Sequence, residues 1–61
     1  MTLEQALATK RGDPVRIKIG VRRPATVTDI RVYLENGADV MLRCDDGWMK
    51  IWYGYKDVAH L

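Results

Sequence analysis

Few side chains in this chain of 61 residues could do covalent chemistry. Cys44 is its one cysteine, His60 its one histidine, and serine is absent. His60 stands one residue before the end of the sequence, with no serine to activate. Cys44 alternates with Val40 and Leu42, which reads as a buried strand thiol, because apolar surroundings disfavour the thiolate that attacks electrophiles. Asp45 and Asp46 form a carboxylate pair only on paper, since Asp46-Gly47 is turn chemistry. The five glycines are dispersed at turns, so no phosphate-cradling loop is present. One cysteine and one histidine without ligand spacing make no metal site. The expectation is a protein without catalysis, cofactor or metal.

What remains is aromatic and cationic. Four of the five aromatic residues, Trp48, Trp52, Tyr53 and Tyr55, fall within DDGWMKIWYGYKD (45–57). Indoles next to Lys or Arg suit a flat, anionic partner, because bases stack on the rings while cations meet phosphates. The charge is unevenly placed. Residues 1–31 hold seven basic against three acidic side chains, and residues 32–61 hold three against five. Arg22-Arg23, Lys10-Arg11 and the Arg16/Lys18 pair are further candidates for phosphate contacts.

These residues need elements to position them. TLEQALATK (2–10) reads as a short helix, with Thr2 as cap, Gln5 at the capping-box position, and Leu3, Ala6 and Leu7 as its apolar stripe. Gly12, Asp13 and Pro14 end it. VRIKI (15–19) alternates as a half-buried strand with a basic outer face. In ATVTDIRVYL (25–34), Ala25 and Val27 share one parity, and Ile30, Val32 and Leu34 the other. That switch predicts a bulge or bend near Thr28-Asp29.

Apolar matching selects the hairpin registers. A three-residue Glu35-Asn36-Gly37 loop pairs Leu34 with Ala38, Val32 with Val40 and Ile30 with Leu42. A two-residue Asp46-Gly47 type I′ turn pairs Cys44 with Met49, Leu42 with Ile51 and Val40 with Tyr53. Met49, Ile51 and Tyr53 then face the core. Trp48, Lys50 and Trp52 face outward beside Met41 and Arg43, with Arg43 directly opposite Lys50. After Tyr53 the chain is expected to make a tight or 3₁₀ turn and a short closing strand, with Tyr55 and Val58 plugging the end.

The order of strand, loop, bent strand, hairpin, Asp-Gly hairpin, helical turn and final strand resembles a five-stranded SH3-like small barrel. GDPV (12–15), the spacing of Ala25, Val27 and Ile30, ADVMLRCDDG (38–47) and VAHL (58–61) come closest to the Tudor type. That resemblance covers residues 12–61, beyond an N-terminal helical segment at 1–11, and implies a mostly β fold. Tudor domains often hold methylated lysine or arginine in an aromatic cage, and the first strand and its loop here contain no aromatic. GDPVRIKIG also resembles, more loosely, the opening strand of plasmid-type dihydrofolate reductase subunits. KIWY (50–53) stands where those tetramers carry their Q-I-Y strand, with Lys50 in place of the glutamine.

The function expected from the sequence is a cytoplasmic binding module. Its leading form is nucleic-acid binding through Met41, Arg43, Trp48, Lys50 and Trp52, aided by Arg22 and Arg23. The alternative is an adaptor or inhibitor that binds a protein or peptide, and the third, which the looser resemblance implies, is a dihydrofolate-reductase-like tetramer. The same outward face could instead be covered by the N-terminal helix or meet a second copy in a homodimer. No run approaches the ~20 apolar residues of a membrane-spanning helix, so no membrane partner is expected.

Overall fold

The computed structural model describes all residues, Met1–Leu61. The fold is mostly β. A short helix α1 (Leu3–Ala8) is followed by strands β1 (Pro14–Ile17), β2 (Arg23–Tyr33), β3 (Asp39–Asp45) and β4 (Lys50–Gly54), a 3₁₀ turn at Tyr55–Asp57, and β5 (Val58–His60). The strands form one antiparallel sheet in the order β4-β3-β2-β1-β5. Its two end strands, β4 and β5, do not pair, so the sheet is open.

The helix starts as its sequence dictates. The Thr2 hydroxyl accepts from the Gln5 backbone N–H, and the Gln5 side chain accepts from the Thr2 N–H. This reciprocal box satisfies two backbone donors that a helix start leaves free. At the other end the Thr9 hydroxyl donates to the Gln5 carbonyl. Six residues cannot hold a helix in water by hydrogen bonding alone. Burial of Ala6 in the sheet's core docks it, with Met1 and Leu3 packed alongside. Leu7, expected on the apolar stripe, faces solvent.

Period-two burial runs through the strands. Val15 and Ile17 of β1, Ala25 and Val27 of β2, and Val40, Leu42 and Cys44 of β3 all enter one core with Val58. The parity switch in β2 is a bulge between Val27 and Asp29. The extra residue is held by side chains: the Thr28 hydroxyl donates to the Arg43 carbonyl, and an Asp29 carboxylate oxygen accepts from the Ile30 N–H. Beyond the bulge Ile30 pairs with Leu42 and Val32 with Val40, the expected register. Asn36 and Gly37, both with positive φ, turn that hairpin. Its tip outruns the core, so Val32 and Leu34 are exposed despite their core-side parity.

The second hairpin differs from expectation by two residues. Cys44 pairs with Ile51, Leu42 with Tyr53 and Arg43 with Trp52. A type I′ turn requires positive φ at both central residues, and in this loop only Gly47 has it. Instead Asp46 organises a wider loop, Asp46–Met49. One of its carboxylate oxygens accepts from the Trp48 and Met49 N–H groups at 2.9 and 2.8 Å, and its own N–H donates to the Met49 carbonyl. Trp48 and Met49 are thereby left in the loop, and Met49, expected to face the core, is 49 % exposed. A shift of two keeps each side chain of β4 on its expected face. It changes every cross-strand partner.

Candidate functional site

The outward face of β2, β3 and β4 carries most of the residues singled out in the sequence. Across it, Asp29, Arg43 and Trp52 form one row, Arg31, Met41 and Gly54 the next, and Thr26, Asp45 and Lys50 a third. The expected Arg43–Lys50 juxtaposition is therefore absent. Lys50 lies opposite Asp45, and Arg43 lies between Asp29 and Trp52, so each cation stands across from a carboxylate. The like-charge anomaly came from the two-residue turn and goes with it.

Trp52 is half-buried, with the Arg31 guanidinium 5.1 Å from its ring centroid. Cation–π geometry of this kind occupies the face that a base would stack on. Asp29 is bridged to Arg11 at 3.1 Å. Its carboxyl is held below the ordinary value by the Ile30 N–H and then by Arg11. The face is a mixed-charge surface rather than a cationic stripe. Arg31 was missed in the sequence, although the first hairpin register placed it beside Met41.

Trp48 belongs elsewhere. It sits at the tip of the β3–β4 loop and is 88 % exposed, so the N-terminal helix does not cover it. Beside it the β1–β2 loop (18–22) presents Val21, 81 % exposed, and Met49 is 49 % exposed. Val21, Arg23, Asp46, Trp48 and Met49 line an open groove of about 440 Å³ between the two loops. The sequence held a signal for Val21: the alternation Val15, Ile17, Ile19, Val21 runs past the end of β1 into the loop.

Arg23 holds the groove together. Its Nε donates to an Asp46 carboxylate oxygen at 2.7 Å. Its Nη1 donates to the Ile19 and Val21 carbonyls at 3.1 and 2.8 Å, and its Nη2 to the Tyr53 hydroxyl at 2.9 Å. One guanidinium thus ties the β1–β2 loop to the β3–β4 loop and to β4. Asp46, with Arg23 first and the Met49 and Trp48 amides next, titrates at about 2. Arg23 was expected to contact phosphate, yet its donors are directed to the protein itself. Arg22, next to it, is exposed in the loop.

Other reactive groups are withdrawn or isolated. Cys44 is fully buried, and burial pushes its thiol up to about 11. No three His, Cys, Asp or Glu side chains are grouped to hold a metal ion. No helix is long and apolar enough to cross a membrane. The chain matches no family model, no curated protein and no solved structure.

Proposed function

We propose that this protein is a small non-catalytic binding module of the SH3-like, Tudor-type barrel class, and that it takes an apolar side chain of a protein or peptide partner in the Val21–Trp48–Met49 groove. The observation that carries the reading is the pairing of an almost fully exposed indole with two exposed aliphatic side chains over an internally neutralised Arg23–Asp46 floor. Contiguous exposed apolar groups of this kind mark interaction sites. The ion pair fixes both loops before a partner arrives, which lowers the ordering cost of binding. The strand order, the bulged second strand and the 3₁₀ turn before β5 support the barrel class.

Nucleic acid is the second reading. Its support is that Arg22, Arg43 and Lys50 are exposed and make no ion pair, with Trp48 two residues from Lys50. In that case Trp48 stacks on a base while the cations meet phosphates.

One experiment separates them. Tryptophan fluorescence of the protein and of its Trp48→Ala variant is followed while a displayed-library peptide or oligothymidylate is added, at low and moderate salt. Peptide binding that depends on Trp48 and is insensitive to salt supports the groove. Oligonucleotide binding that weakens steeply with salt supports the second reading, because phosphate neutralisation releases counterions. Trp48→Ala itself is expected to change stability by less than ~0.5 kcal/mol, since the side chain is solvated. Peptide binding unaltered by Trp48→Ala sinks the groove reading, and oligonucleotide binding unaltered by it sinks the second.

A further inference from the structure

The sheet ends differently at its two edges. β5 is three residues long and offers an added strand little to pair with. β4 is five residues, runs against β3 without a bulge, and contains neither proline nor a residue of positive φ. Lys50, at one end, is its only edge-blunting residue. The outer side of β4 has no strand beside it. Its core-side surface is incomplete as well: Ile51 is 37 % exposed, where a neighbouring strand would cover it.

Register identifies the occupant that fits. Directly opposed residues of an antiparallel pair lie on the same face of a sheet. Two copies joined edge to edge must therefore set Ile51 and Tyr53 against core-side residues, and Lys50, Trp52 and Gly54 against outward ones. That restricts the two-fold axis to registers centred on a residue. Centring on Lys50 brings two ammonium groups together, which is unfavourable. Centring on Trp52 uses the whole strand. Lys50 meets the partner's Gly54, Ile51 meets the partner's Tyr53, and Trp52 meets its own counterpart. Like charges never face each other, and a phenol ring covers Ile51.

We propose that the β4 edge is a self-association surface, at which two copies pair antiparallel about Trp52 into one continuous sheet. This surface is separate from the loop groove and does not depend on what the groove binds. A single strand pair is a small interface beside the ~1,000 Å² that a stable complex buries, so the dimer forms at high protein concentration.

Sedimentation equilibrium from micromolar to millimolar protein tests this. The mass should rise from 7.0 kDa toward twice that value. Ile51→Lys, which points a charge inward at the edge, should weaken the association by about tenfold or more. Amide hydrogen exchange on the unmodified chain provides the independent readout, whether or not that variant folds. Outward-pointing β4 amides should slow as concentration rises, while β5 amides should not. A monomer at millimolar concentration overturns the proposal. So does a dimer whose β4 exchange is independent of concentration, because its interface then lies elsewhere.

Discussion

Asp46 shows how far one side chain can redirect local structure. From the sequence it is the first half of an Asp-Gly turn. In the fold it accepts from two loop amides and from Arg23, and the hairpin register moves by two residues. The same contacts make stability pH-dependent. The carboxyl titrates at about 2 in the fold and near ~3.9 in an unfolded chain. Its contribution is therefore fully present above about pH 4 and is lost as pH falls toward 2. Asp46→Asn should flatten the acid limb of a thermal-stability profile in that window, although Asp29, also shifted downward, will leave part of the slope. A limb unchanged by Asp46→Asn would mean that the ion pair adds no stability. Cys44 makes the opposite kind of prediction. Fully buried and with a raised thiol pKa, it should react with a thiol reagent only when the chain opens. Its labelling rate should rise with denaturant in step with unfolding, and fast labelling in native buffer would contradict its burial.

At the scale of elements, the helix and the bulge have local causes, and the loops do not. Thr2 and Gln5 start α1 wherever it docks. Thr2→Ala should lower stability by about 1 kcal/mol, the usual value of a capping hydroxyl, read as a shifted urea midpoint with unchanged slope. No shift would mean that α1 is held by the packing of Ala6, Met1 and Leu3 without help from the cap. The β2 bulge was legible because side-chain parity reverses across it, and a strand cannot reverse parity without an extra residue. The groove was not legible. Its walls come from loops more than twenty residues apart, joined by Arg23, whose place in a run of basic residues suggested a free surface charge.

The whole molecule has little stability to spare. A chain of this length is expected to be stable by roughly 3–9 kcal/mol. Leu42 is fully buried at the centre of the core, and Leu42→Ala should cost about 2–5 kcal/mol. A urea midpoint lowered in keeping with that loss, or an unfolded variant, is the expected reading, and a midpoint unchanged from the parent chain would show that the core is less critical than its burial implies. The exposed hairpin tip has the opposite character. Val32 and Leu34 share the apolar alternation of the core residues, yet they lie beyond the end of the core and stay solvated.

Alternation, capping and turn residues determined by themselves that this chain is mostly β, where its helix starts, where β2 bulges, how the first hairpin pairs and which face each side chain of β3 and β4 takes. These follow from bonds and clashes among near neighbours, or from the period of two that any strand imposes. Only the tertiary structure decided that Arg23 is a clamp and Trp52 lies under Arg31. It alone set Trp48 at a groove with Val21 and left the sheet open at β4. Each of those depends on which distant segments meet. A shift of two residues in one hairpin leaves the alternation pattern untouched while exchanging every partner across it.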